Sequence, residues 1–110
     1  MIYNNLGNAF QTKLFVNRSI DLYGKAISIN PNFFQAYNNL GNSFKLKGNL
    51  SASLDMFYKS LSINPNYADA YNNLGTTLKE LGKLEEAIKV FKKAIGLKPN
   101  FADALSNLAV

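Results

Sequence analysis

Apolar residues recur along the chain at intervals of three and four, the spacing that predicts helices with one buried face. In the middle of the chain, one set of apolar or small residues at this spacing is Ala36, Tyr37, Leu40, Gly41 and Phe44. A second set follows at Leu50, Ser53, Leu54, Phe57, Ser60 and Leu61. Gly48 lies between the two sets and suits the left-handed residue that ends many helices. Because short connections place neighbouring helices antiparallel, the pattern predicts a helical hairpin.

This hairpin pattern repeats with a fixed period. The pentapeptide Tyr-Asn-Asn-Leu-Gly begins 34 residues after its previous copy each time, at Tyr3, Tyr37 and Tyr71, and a diverged copy begins at Leu105. Prolines recur in the same phase, at Pro31, Pro65 and Pro99. The residue before a proline leaves the α region, so Pro65 and Pro99 are expected to end the second helices. Self-similarity at one period is typical of a solenoid.

These residues resemble the tetratricopeptide repeat (TPR). The middle copy matches the family pattern at Tyr37, Leu40, Gly41, Phe44, Ser53, Phe57 and Pro65. The third copy matches it at Tyr71, Leu74, Gly75, Leu78, Ala87, Phe91 and Pro99. The resemblance covers nearly the whole chain and implies an all-α fold, a right-handed α-solenoid of antiparallel helix pairs. The predicted units are three repeats and the first helix of a partial fourth, at 1–33, 34–67, 68–101 and 102–110.

Three departures from the family pattern carry expectations of their own. Leu14 replaces the turn glycine of the first hairpin and is followed by Phe15, which predicts a looser hairpin or a covered outer surface. Serines at positions 19, 53 and 60 are expected to fit but to lose apolar contact. The partial fourth repeat lacks the polar cap that such arrays need, so we interpret the chain as a slice of a longer array or of a multidomain protein. A complete small protein is the alternative.

Composition excludes several function classes. The 110 residues include 47% hydrophobic residues, as in a folded domain, and neither Cys nor His. Disulfides, thiolate nucleophiles, the commonest general base and almost every transition-metal site are therefore excluded. We expect no catalytic residue, no metal and no cofactor.

Charge and hydropathy bear on partners and location. The net charge of +5 is spread evenly, which favours a solvated, lysine-rich face over a nucleic-acid site. The sequence shows no apolar run of membrane-spanning length and no signal peptide. We therefore expect no membrane association and a cytoplasmic location.

Opposite the packed face, each first helix carries a polar stripe. In the first copy it comprises Asn4, Asn5, Asn8 and Gln11, and in the second Gln35, Asn38, Asn39, Asn42 and Lys45. In the third it comprises Asp69, Asn72, Asn73, Thr76 and Lys79, and in the partial copy Asp103, Ser106 and Asn107. In TPR proteins this face lines the concave groove of the superhelix, so the resemblance implies that the stripe is the binding surface.

One column of the stripe is asparagine in every copy. These residues, called the ladder asparagines below, are Asn5, Asn39, Asn73 and Asn107. A carboxamide offers both a donor and an acceptor, so it can bind a peptide bond whatever the ligand's side chains are. The column resembles the asparagine ladder in the TPR region of O-linked N-acetylglucosamine transferases and similar asparagines in kinesin light chain. A role in packing or solubility is the alternative.

The predicted peptide-binding residues are the ladder asparagines and their neighbours Asn4, Asn8, Asn38, Asn42, Asn72, Lys45, Lys79 and Asp69. Chaperone-tail receptors of this fold instead bind a C-terminal carboxylate with Lys and Arg beside two Asn. Asn8 and Asn39 match that arrangement, whereas the cations are missing and Asp69 would repel a carboxylate. Lys45 and Lys79 lie near the groove edge and would favour acidic ligand side chains.

The sequence thus predicts a non-enzymatic scaffold that binds an extended peptide segment of a protein partner in its groove. One alternative is that the chain is the substrate-recruiting arm of a larger enzyme, such as a glycosyltransferase, with the catalytic domain outside these residues. Another is self-association through the ends of the array.

Overall fold

A computed structural model describes residues 1–109 and contains helices without strands in that range. In chain order, the helices are α1 (Ile2–Phe10), α2 (Val16–Ile29), α3 (Phe34–Leu46), α4 (Leu50–Ile63), α5 (Ala68–Glu80), α6 (Leu84–Leu97) and α7 (Ala102–Ala109). Val110, the end of the predicted partial repeat, lies outside the described residues. The predicted all-α fold is confirmed.

The helices form consecutive hairpins that stack on one another. Within a hairpin, α1 packs on α2, α3 on α4 and α5 on α6, and each second helix also packs on the first helix of the next hairpin. First helices of neighbouring repeats, such as α3 and α5, approach each other more closely than second helices do. The first helices therefore line the inner surface of the array. We call this inner surface of α1, α3, α5 and α7 the groove.

A glycine lying on an aromatic ring sets the spacing within each hairpin. The pairs are Gly7 with Tyr23, Gly41 with Phe57, and Gly75 with Phe91. A Cβ atom built on any of these glycines would lie 2.5 to 2.6 Å from a ring carbon, which is inside van der Waals contact. All three rings are buried. The repeated Leu-Gly is thus a requirement for close helix packing.

The turns of the second and third hairpins differ from the first. Gly48 and Gly82 have φ angles of 87° and 79°, the left-handed region that favours glycine. In the first hairpin a 3₁₀ turn at Lys13–Phe15 replaces the glycine turn. The ring of Phe15 packs edge-to-face on Phe10, with 5.7 Å between centroids, while Leu14 is 84% exposed. The first hairpin therefore has a different type of turn, and none of the described residues covers Leu14.

The buried serines bond the helices together, which sequence reasoning did not anticipate. Ser53 Oγ donates to the Gly41 carbonyl and Ser60 Oγ to the Phe34 carbonyl, both at 2.8 Å. Ser19 Oγ lies 2.8 Å from Ser43 Oγ and donates to the Val16 carbonyl. Each serine is fully buried, so these bonds offset the apolar contact that is lost.

We expect Gly41→Ala to lower the free energy of unfolding by about 1–3 kcal/mol, because its methyl group would displace the Phe57 ring. The matched control is Gly96→Ala in α6, where a Cβ would have no neighbour within 4 Å. In that exposed helical position alanine is neutral or stabilises by up to about 1 kcal/mol. Urea unfolding followed by circular dichroism measures both, and equal stability of the two variants would contradict the packing described here.

Candidate peptide-binding groove

The ladder asparagines lie on the first helices and differ in burial along the array. Asn39, Asn73 and Asn107 are half-buried, whereas Asn5 on α1 is exposed. Their immediate predecessors in the sequence, Asn4, Asn38 and Asn72, are only 4% to 7% exposed. We call these three the anchor asparagines. Adjacent residues on one helix therefore have different environments.

Hydrogen bonds between repeats join the two columns. Nδ2 of three of the ladder asparagines donates to Oδ1 of the anchor asparagine one repeat earlier. The distances are 3.1 Å for Asn39 to Asn4, 3.0 Å for Asn73 to Asn38, and 3.0 Å for Asn107 to Asn72. The same bond thus crosses every described boundary between neighbouring first helices, and it satisfies the oxygen of each buried carboxamide.

This pairing leaves part of each ladder carboxamide for a ligand. A carboxamide has two N–H donors and one acceptor oxygen. The bond to the anchor asparagine uses one N–H and fixes the orientation of the group, so the oxygen and the second N–H remain. Asn39, Asn73 and Asn107 therefore brace the array and also keep a donor and an acceptor outside this bond. Their contact with a peptide stays a prediction, as does that of the mostly covered anchor asparagines.

Asn8 and Asn42 lie one turn further along their helices. The Tyr23 hydroxyl donates to Asn8 Oδ1 at 2.5 Å, and Asn8 itself is exposed. Asn42 is half-buried and lines an open cleft of about 450 Å³. The other residues of the cleft are Gln11, Lys13, Lys45, Leu46 and Glu80. The cleft spans the carboxyl ends of α3 and α5 and the turn after α1.

The charged residues of the predicted site differ in how far their side chains are available to a ligand. Lys45 Nζ donates to Thr76 Oγ1 at 2.5 Å and lies 3.5 Å from a Glu80 carboxylate oxygen. Its charge therefore acts largely within the array, which weakens the expected preference for acidic ligand side chains. Lys79 is half-buried and lines a cavity of about 120 Å³ together with Asn107. Asp69 is half-buried in the first turn of α5.

Gln11 has a structural role that the sequence did not indicate. Its Nε2 donates to the Asn39 carbonyl at 2.7 Å and to Ser43 Oγ at 3.2 Å. Through Ser43 the contact continues to the buried Ser19 of α2. Its position in the repeat could have indicated this role. Gln11 occupies the same position as Lys45 one repeat later, and Lys45 also bonds to the next first helix.

Burial also changes the acidity of two tyrosines. It raises the pKa of the Tyr23 hydroxyl. Burial is the larger cause of the raised pKa of Tyr67, the charge of Asp69 adds to it, and a hydrogen bond with Asn38 acts in the opposite direction. Both hydroxyls therefore keep their protons to a higher pH than an ordinary tyrosine does.

Comparison with known families identifies the class of protein. The tetratricopeptide repeat model matches residues 34–67 and 68–101, and a TPR repeat model matches residues 16–48. The chain belongs to the tetratricopeptide repeat family. No curated protein matches it significantly by sequence.

Solved structures share the fold at low sequence identity. The first TPR of Spaghetti (RPAP3), bound to the HSP90 peptide SRMEEVD, has a TM-score of 0.92 and 23% identity over 98% of this chain and 86% of that one. The second TPR domain of human RPAP3, in complex with the HSP70 peptide SGPTIEEVD, has a TM-score of 0.88 and 21% identity over 97% and 89%. MamA has a TM-score of 0.87 and 26% identity over 96% and 62%. These likenesses confirm the TPR superhelix.

None of the helices in residues 1–109 is both long and apolar enough to span a membrane.

Removal of an anchor asparagine tests the bracing role. We expect Asn38→Ala to lower the free energy of unfolding by about 1–2 kcal/mol, because it leaves the half-buried Asn73 N–H without its acceptor. The control Asn5→Ala changes an exposed asparagine and is expected to stay within about 0.5 kcal/mol of the wild type. Equilibrium unfolding in urea measures both. An Asn38→Ala protein as stable as Asn5→Ala would show that the bond between repeats adds nothing.

Alkaline pH should destabilise the fold. The raised folded-state pKa values mean that Tyr23 and Tyr67 ionise more readily when unfolded, where the ordinary value is 10.0. Their contribution to stability is complete below that pH and is lost as pH rises above it. We expect the urea midpoint to fall as the pH rises above 10.0. The fall should be smaller in Tyr23→Phe than in the control Tyr58→Phe, whose side chain is exposed. An equal decrease of the urea midpoint with pH in both variants would contradict the assignment of this effect to Tyr23.

Proposed function

We propose that the chain is a protein-interaction module that holds an extended peptide in the groove through the ladder asparagines. The observation that carries this proposal is the repeated bond between ladder and anchor asparagines. It holds the carboxamides of Asn39, Asn73 and Asn107 in the same way on successive first helices and leaves one N–H and the oxygen of each outside this bond. A peptide main chain offers the complementary N–H and C=O groups at regular intervals.

Pre-organisation makes this surface suitable for binding. Side chains that must be ordered on binding reduce affinity by their lost rotamer freedom. Asn39 and Asn73 already have their carboxamides fixed by Asn4 and Asn38, so little further ordering is needed. Each ladder asparagine contributes a modest binding free energy, and affinity grows with the number of ladder asparagines that the peptide contacts.

The similar solved structures that contain peptides support a peptide ligand for this groove. They also raise the question of whether the ligand has an acidic C-terminus. The peptides in the two RPAP3 structures both end in Glu-Glu-Val-Asp. The resemblance to chaperone-tail receptors implies that Asp69 occupies the position of one of their cations, and Lys45 is paired with Glu80. We therefore propose that main-chain contacts, and not an acidic terminus, determine the ligand of this groove.

The proposal concerns a non-catalytic role for these residues. The recruiting-arm alternative would use the same groove within a larger enzyme, and it stays a prediction together with the cytoplasmic location and the self-association through the array ends.

Substitution of the ladder tests the proposal. Peptides would be selected from a random-sequence library on the immobilised wild-type chain, and their affinities measured by fluorescence anisotropy. We expect Asn39→Ala combined with Asn73→Ala to weaken binding about tenfold or more, because two donor and acceptor pairs are lost.

The control is Asn17→Ala on α2, an exposed asparagine on a second helix, which should keep wild-type affinity. Binding would be measured at a temperature at which circular dichroism shows every variant to be folded. Failure to select any peptide, or equal affinity of the ladder variant and the control, would refute the proposal.

A further inference from the structure

The first hairpin differs from the other two by one buried hydroxyl group. Tyr23 occupies the position that Phe57 and Phe91 occupy in their hairpins, with its ring beneath Gly7 as theirs lie beneath Gly41 and Gly75. Tyr23 is fully buried, yet its hydroxyl donates at 2.5 Å to Oδ1 of Asn8, an exposed residue of α1. A core residue is thus bonded to an exposed residue of the predicted site.

This bond determines which atoms of Asn8 a ligand can meet. The oxygen and the nitrogen of a carboxamide lie on opposite sides of Cγ, so an oxygen held towards the core turns the NH₂ group outwards. Burial raises the pKa of the Tyr23 hydroxyl, so this group keeps its proton and acts as the donor. Asn42 is the equivalent residue one repeat later, and the ring of its hairpin is that of Phe57, which has no hydroxyl and cannot impose the same orientation.

We propose that Tyr23 is a positioning residue that makes Asn8 a donor-only site for an acceptor oxygen of the bound peptide. The inference rests on the proposed function of the groove and adds to it a site that only donates hydrogen bonds. The ladder asparagines retain both a donor and an acceptor, which suits a peptide bond. Asn8 offers donors alone, which suits a main-chain carbonyl or a carboxylate.

The cleft at the turn that follows α1 has a lining of mixed charge. Lys13, an exposed cation, lines it, and so does Glu80, which lies 3.5 Å from Lys45 Nζ. Gln11 uses its Nε2 within the array, on the Asn39 carbonyl and Ser43. The NH₂ group of Asn8 is therefore the donor that we assign to the ligand.

A double-mutant cycle tests the positioning role with peptides selected on the wild-type chain. Tyr23→Phe removes the hydroxyl and keeps the ring, as in the other two hairpins. We expect it to weaken binding about threefold to tenfold, the range for one hydrogen bond. In an Asn8→Ala background the same change should have less than about a twofold effect, because the group that it orients is absent. A merely structural effect of Tyr23 would persist in that background.

Asn8→Asp tests whether the ligand contacts the NH₂ group of Asn8. The aspartate still accepts a hydrogen bond from Tyr23 but presents an oxygen in place of the NH₂ group. We expect it to weaken binding at least as much as Asn8→Ala does. Each peptide would be tested with a free C-terminal carboxylate and with a C-terminal amide. If Asn8 variants affect both forms equally, the ligand oxygen belongs to the main chain or a side chain. If they affect only the free acid, the oxygen belongs to the terminus, which would contradict the main-chain recognition proposed above.

A second measurement needs no ligand. NMR relaxation of the side-chain ¹⁵Nδ2 groups should show the Asn8 carboxamide to be more mobile in Tyr23→Phe than in the wild type. The converse variant Phe57→Tyr places a hydroxyl beneath Asn42 and should make that carboxamide less mobile. Unchanged Asn8 mobility in Tyr23→Phe would overturn the positioning role.

The outcomes distinguish this inference from the proposed function. If the ladder variants weaken binding while Tyr23→Phe binds as the wild type does, only the inference about Tyr23 fails. If Tyr23→Phe and Asn8→Ala have independent, additive effects, it fails as well. If neither the ladder variants nor the Asn8 variants change binding, the proposed use of the groove fails.

Discussion

The contact between a first-helix glycine and a second-helix aromatic ring is the constraint on which the rest of the structure depends. It brings the two helices of each hairpin to the same separation, since a Cβ at Gly41 would lie 2.5 Å from the Phe57 ring. Hairpins with this shared packing, repeated at one period, each stack on the next through the same pair of helices. The regular placement of polar side chains along the groove follows from this equal packing.

The asparagine columns show how the same stacking produces a binding surface. A ladder asparagine reaches the anchor asparagine of the preceding repeat only because neighbouring first helices lie side by side in register. The bond satisfies a buried oxygen and orients a half-buried carboxamide. Packing and ligand binding, which the sequence presented as alternatives for this column, are compatible roles for different atoms of one side chain.

Sequence periodicity was sufficient for the helices, the glycine turns and the TPR architecture, because these depend on local spacing and on one repeated contact. It could not distinguish Asn38 from Asn39, since both lie on the polar side of one helical wheel and the neighbouring helix decides which is buried. The bond from Tyr23 to Asn8 was also beyond reach, because Tyr and Phe fit the family pattern equally. The rebuilt turn at Leu14 depends on contacts of Phe15 that follow from packing.

We propose that the groove binds the main chain of an extended peptide through the free donor and acceptor of the ladder asparagines. The structure of the chain in complex with a selected peptide would test this proposal. We expect peptide N–H and C=O groups within hydrogen-bonding distance of Oδ1 and Nδ2 of Asn39 and Asn73. A peptide bound on the second helices, or one held in the groove by its side chains alone, would contradict it.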